Sequence, residues 1–271
     1  IYVAMVSADA WSYPSLFQLD EKNMPCAVAG CPPDGFSATG QLWGNPLYRW
    51  EYHRQTGYEW WLKRLSHCFK LYDAVRIDHF RGFDQYYSIP YGAETAANGH
   101  WEQGPGIDLF NRVRQVLGEK EVIAEDLGYV TDSVRKLVHD SGFPGMKVLE
   151  FAFDSRDSGC ASDYLPHNYP ENSVAYTGTH DNETLLGFFE DRGDWELGYA
   201  YDYLDTRDKG RMVDQVFRAA YSSVAVLTVF AVQDILKLGN WARMNLPSSM
   251  GNNWKWRMQK GQLGQHELEC M

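Results

Sequence analysis

The chain has 271 residues, of which 44% are hydrophobic, enough to bury a sizeable core in one large domain or two small ones. Its formal net charge of −11 repels polyanions, and no basic run interleaved with aromatics is present, so nucleic acid is excluded as a partner while a neutral substrate is compatible. Aromatic residues reach 15%, with 10 Trp and 17 Tyr; such rings fill cores, and they also supply the flat apolar faces that stack on sugar rings.

In chain order, Ile1-Tyr2-Val3-Ala4-Met5 reads as a strand. Residues 6–57 are rich in Pro, Gly and Trp and show little periodicity, so they read as a long inserted loop or subdomain, too aromatic to be disordered. A helix is predicted near Tyr58–Leu71, with Trp61, Leu62, Leu65 and Phe69 at core-facing spacing. From there β-type and helical segments alternate. Strands are predicted at Ala74–Ile77, Glu121–Ala124, Met146–Phe151, Ser173–Tyr176 and Val226–Val232. Helices are predicted near Leu109–Leu117, Thr131–Ser141 and Met212–Ser223, with Thr131 and Asp132 able to cap the second.

This alternation predicts an α/β fold with a parallel sheet. A doubly wound sheet lacks support, because no phosphate-type glycine loop follows a strand. A (β/α)8 barrel needs eight strands. The reading is therefore a TIM barrel truncated at its N-terminus, with about six of its eight strands in a single partial catalytic domain spanning 1–271.

The five cysteines (Cys26, Cys31, Cys68, Cys160, Cys270) are odd in number and scattered, without disulfide or zinc spacing, which points to a reducing compartment, cytoplasmic or plastid. No leader and no membrane-spanning run is read, so no membrane partner is expected. Asn182-Glu183-Thr184 matches a glycosylation sequon, where a glycan would obstruct the candidate site.

That site rests on three segments, each running from a β-type stretch into a carboxylate, as barrel sites are built at strand ends. In Val75-Arg76-Ile77-Asp78-His79, alternation sends Arg76 and Asp78 to the same face. Arg76 would favour the ionised form of Asp78, which a nucleophile requires. Taken alone, the pair could equally be an ion pair that locks the strand end. In Val122-Ile123-Ala124-Glu125-Asp126, Glu125 sits at the strand mouth and is the better general acid/base candidate, its pKa raised by semi-apolar surroundings and a neighbouring acid. Asp126 could cap a helix. In Tyr176-Thr177-Gly178-Thr179-His180-Asp181-Asn182, Asp181 offers a third carboxylate to hold sugar hydroxyls and favour an oxocarbenium-like ring. The same residues are also good turn formers.

Together these segments resemble the 4-alpha-glucanotransferases (amylomaltases, or disproportionating enzymes; glycoside hydrolase family 77), a branch of the alpha-amylase superfamily. Further stretches carry the likeness: Ser7-Ala8-Asp9, Gly40-Gln41-Leu42-Trp43-Gly44-Asn45-Pro46-Leu47-Tyr48, Phe151-Ala152-Phe153-Asp154, Leu165-Pro166-His167-Asn168-Tyr169-Pro170 and Ala242-Arg243-Met244-Asn245-Leu246-Pro247. The resemblance implies Asp78 as nucleophile, Glu125 as acid/base and Asp181 as transition-state stabiliser. It implies that Arg76, His79 and His180 support the bound glucose, that Trp43 helps present the acceptor, that Asp34 binds near the cleft, and that Asn245 touches sugar from the last loop. It implies no metal or organic cofactor, and maltooligosaccharides and alpha-1,4-glucans as partners. Val6 and Trp241 stand where the family usually has a polar and an acidic residue. Family members carry two more βα units and a subdomain before the segment at Ile1, in keeping with a truncated barrel. The alternatives are an alpha-1,4-glucan hydrolase of the same superfamily and an inactive carbohydrate-binding fragment. For a double displacement the Asp78 and Glu125 carboxyl groups should lie about 5–5.5 Å apart.

Overall fold

The computed structural model describes residues 1–33, 37–128, 130–154, 161–247, 249 and 251–265. Asp34, Cys160 and Cys270 lie outside the described residues. The chain forms two compact units, Ile1–Gly145 and Met146–Met271.

The first unit begins with an irregular segment in place of the strand expected at Ile1–Met5. Side chains take the acceptors that a neighbouring strand would need: Ile1 O receives Tyr48 Oη at 2.8 Å, and Val3 O receives Asn45 Nδ2 at 2.9 Å. A short helix α1 (Ala8–Ser12) follows, capped by Ser7 and held by Trp60, whose Nε1 donates to Asp9 at 2.9 Å. The stretch expected to be irregular also contains strands β1 (Ala27–Cys31) and β2 (Gln41–Pro46). After helices α2 (Trp50–Gln55) and α3 (Glu59–Leu71) come β3 (Ala74–Ile77), β4 (Gln85–Pro90) and β5 (His100–Gln103). The order β2-β1-β4-β5 makes an antiparallel sheet, half of it supplied by the insertion and half by the chain that follows β3. Long-range pairing of this kind leaves little local periodicity to read.

Helices α4 (Ile107–Leu117) and α5 (Asp132–Ser141) flank strand β6 (Glu121–Ala124), which pairs in parallel with β3. Thr131 Oγ1 caps α5, and Gly142 closes it with φ +72°, a left-handed position that suits a residue without Cβ. The core is aromatic: Phe80 stacks on Phe110 with centroids 4.9 Å apart, Trp50 lies over Trp61 at 5.9 Å, and Phe83 packs edge-on to Trp61 at 5.3 Å. Trp61 and Leu65 are the buried residues of α3, with Leu62 and Phe69 packed beside them.

The second unit takes up strand β7 (Gly145–Val148), then β8 (Ser173–Tyr176), helices α6 (Leu185–Glu190), α7 (Gly198–Leu204) and α8 (Lys209–Tyr221), strand β9 (Leu227–Val229) and helix α9 (Val232–Ile235). Strands β8 and β9 pair in parallel, with Val174 opposite Leu227 and Tyr176 opposite Val229. β7 is shorter than expected. The chain passes into a 3-10 turn over Leu149–Phe153, in which Leu149 and Glu150 are both buried. β9 is likewise short, because Val232 already opens a helix that buries Gln233 and Asp234. Among the described residues no helix is long and apolar enough to cross a membrane.

Candidate active site

β3 and β6 run in register, Ile77 opposite Ala124, so Asp78 and Glu125 leave adjacent strand ends side by side. Two further bonds continue the ladder: Glu125 N donates to Ile77 O at 3.0 Å, and Phe80 N donates to Glu125 O at 2.9 Å. The chain then turns at His79, whose φ of +51° is rare for a residue with a Cβ. This turn swings the His79 N–H onto Glu125 Oε2 at 2.6 Å, while Leu127 N donates to Oε1 at 3.1 Å.

Arg76 and Asp78 share a face as alternation predicts, with Nη2 2.9 Å from Oδ1. Asp78 is open to solvent, 63% of its side chain exposed. Its charge therefore faces solvent as well as the Arg76 cation. Glu125 is held the other way. Burial, then the charge of Asp78, pushes its pKa from 4.5 up to about 7 against the two backbone N–H donors and Arg76. At neutral pH a substantial share of it is the free acid, beside an ion-paired carboxylate.

His79 packs edge-on to Trp43 at 4.8 Å, and Tyr2 lies 6.3 Å from the imidazole. Burial lowers its pKa to about 3, so it is neutral, and its buried Nε2 has no partner among the described residues. Trp43 sits on β2, its Nε1 donating to Gln41 at 3.0 Å. The insertion thus delivers its tryptophan to the first carboxylate motif. Asp126 does not cap a helix. Thr131 fills that role, and the Asp126 carboxylate lies so close to Gly145 that a Cβ there would meet Oδ2 at 2.7 Å.

In the second unit, β8 ends in the third motif. His180 Nε2 stands 3.3 Å from Asp181 Oδ2, Asn245 Nδ2 donates to Asp181 Oδ1 at 2.5 Å, and Arg243 Nη2 donates to the Asp181 carbonyl at 2.6 Å. Asn245, expected to touch sugar, is bonded to Asp181 and orients it. Trp254 lies 5.2 Å from the His180 ring and, with Met244, Trp256 and Met258, lines a cleft of about 450 Å³.

Residues that the sequence did not single out complete this motif. Asn182 bonds Thr179 and Glu150, so the sequon asparagine is committed inside the fold. Arg243 lies in a stretch already noted for its resemblance, and Glu150, at the end of the predicted strand Met146–Phe151, shares the strand-to-acid pattern of the three motifs. Among the described residues no three His, Cys, Asp or Glu side chains gather as metal ligands would.

Comparison with known proteins gives these motifs a family. A family model described as 4-alpha-glucanotransferase matches residues 1–263. A 4-alpha-glucanotransferase of Streptococcus pneumoniae is 50% identical over 264 residues, covering 97% of this chain and 52% of its own. That of Thermus thermophilus is 46% identical over 270 residues, covering 97% and 53%. The chloroplastic/amyloplastic one of Solanum tuberosum is 42% identical over 258 residues, covering 95% and 44%. A solved amylomaltase from Streptococcus agalactiae, in complex with acarbose, superposes with a TM-score of 0.93 at 41% identity, over 100% of this chain and 54% of that one. The chain thus spans about half the length of the relatives it matches, and on these matches it belongs to the 4-alpha-glucanotransferase family, glycoside hydrolase family 77.

Proposed function

We propose that this chain carries the catalytic groups of a 4-alpha-glucanotransferase that moves alpha-1,4-glucan segments from a donor to an acceptor glucan or glucose. Its parallel strands are read as part of a (β/α)8 barrel. The observation that carries the reading is the paired environment of Asp78 and Glu125 on neighbouring strand ends: one acid exposed and paired with Arg76, the other buried and raised to about 7. Two carboxyl groups whose environments separate their protonation are what retaining glycoside chemistry needs.

In this reading Glu125 protonates the glycosidic oxygen as Asp78 attacks the anomeric carbon. The C–O bond breaks, a glycosyl ester forms on Asp78, and the shortened glucan leaves with the proton. Glu125, now the base, takes a proton from the hydroxyl of a second glucan. That oxygen attacks the anomeric carbon and frees Asp78 with net retention. Arg76 pairs with Asp78 and orients it, and Asp181 stabilises the oxocarbenium-like transition state. His79, kept neutral by burial, and His180 hold hydroxyl groups of the donor sugar, and Trp43 presents the acceptor. Asp34 is assigned to the cleft border on resemblance alone. Transfer exceeds hydrolysis when a bound acceptor displaces water and supplies a high effective concentration.

The test is incubation of the full-length protein with maltotriose. Glucose plus a ladder of longer maltooligosaccharides is expected. Cleavage without a ladder would indicate a hydrolase, and binding without turnover an inactive glucan-binding protein.

A further inference from the structure

Glu150 follows β7 as Asp78 follows β3 and Glu125 follows β6, yet it is almost completely buried, 3% exposed. Its Oε1 accepts from Asn182 Nδ2 at 2.8 Å. Its Oε2 is buried without a partner among the described residues and lies 3.5 Å from where a Cβ on Gly178 would stand. Burial raises its pKa to about 8, with Glu183 and Asp234 adding to the rise, so it is mainly the neutral acid at pH 7. A buried acid with one orphan oxygen costs stability, and an apolar residue of similar size would be cheaper. What it holds in place is Asn182.

Asn182 closes the turn that carries Asp181. Its Oδ1 accepts from both Thr179 N and Thr179 Oγ1 at 2.9 Å, its own N–H donates to Thr179 O at 3.2 Å, and Thr179 Oγ1 accepts from Asp181 N at 3.3 Å. An amide side chain can point either end toward Thr179, and only one way round does it accept from that N–H. A fixed acceptor on the Nδ2 side settles the choice, and Glu150 Oε1 is that acceptor. Gly178 leaves room for it, since a Cβ there would stand only 3.1 Å from the Asn182 Cβ.

We infer that Glu150 is a positioning residue: through Asn182 it orients the Thr179–Asp181 turn and so aims the third carboxylate. The kinetic part of this inference rests on the transferase reading, whereas the structural part does not.

The experiment compares wild type, Glu150→Leu, Glu150→Met and Glu150→Gln in the full-length protein, measuring maltotriose disproportionation and amide hydrogen exchange at Thr179. Glu150→Leu and Glu150→Met both remove the acceptor. Both are expected to lower kcat on the order of 10²-fold with KM little changed, as a misplaced catalytic group would, and both should speed Thr179 exchange. Glu150→Gln keeps a carbonyl acceptor and should rescue both readouts. A folded Leu or Met variant with wild-type kcat and wild-type exchange would overturn the inference. So would a Gln variant as impaired as the apolar ones. If Glu150→Leu does not fold, Glu150→Met and Glu150→Gln decide the matter. If wild type makes no ladder, the transferase reading fails, and Thr179 exchange still decides the role of Glu150.

Discussion

Glu125 is set by a contest between opposing groups. Two backbone N–H donors and Arg76 favour its anion, and burial with the charge of Asp78 outweighs them. The acid form needed in the first step is therefore lost as pH rises through about 7, so kcat/KM should fall across that value. Glu125→Gln should abolish this limb and lower activity on the order of 10²- to 10⁴-fold, and a pH–rate profile of both proteins checks it. A limb that persists in the Gln variant would assign the titration to another group. Alternation alone made the Arg76–Asp78 pair and the candidacy of Glu125 legible. The left-handed turn at His79 was not, because nothing in the residue type predicts a positive φ there. Nor was the bond from Asn245 to Asp181, which joins residues far apart in sequence.

Each element carries its own test. Phe80 is fully buried against Phe110, beneath the turn that presents His79. Phe80→Ala should cost about 3–5 kcal/mol in urea denaturation. Glu150 lies in the 3-10 turn after β7, and its folded pKa of about 8 exceeds the ordinary 4.5. As pH rises from 4.5 the unfolded chain gives up this proton first. The native state then binds more protons, and stability present below 4.5 is progressively lost up to about 8. Asp234, raised by burial to about 6, acts in the same sense over a lower window. The melting temperature of the wild type should therefore fall relative to that of Glu150→Gln between pH 5 and 8; a constant difference would mean that Glu150 titrates normally. Helices with apolar stripes, such as α3 and α8, were readable within a residue or three because local periodicity decides them. The antiparallel sheet was not, because β1 carries a register shift between Val28 and Gly30 and finds β4 some sixty residues away.

At the scale of the whole chain, whose net charge is −11, the proposed substrate is an uncharged glucan, so kcat/KM should stay nearly flat as salt increases from about 0.05 to 0.5 M, since Debye screening has no substrate charge to act on. A steep salt dependence would point to a charged substrate. The family was legible because its motifs lie at strand ends spread along the chain, and each end brings its carboxylate with a recognisable neighbour. The central claim is that Asp78 forms the covalent intermediate. Fluoride leaves without a proton, so Glu125→Gln should still react with an alpha-maltosyl fluoride donor in the first step. It then lacks the base for the second, and the ester accumulates. Peptide mapping by mass spectrometry should find the maltosyl mass on the peptide containing Asp78 and nowhere else. A label on another residue, or fluoride release with no labelled peptide at any time point, would contradict the account.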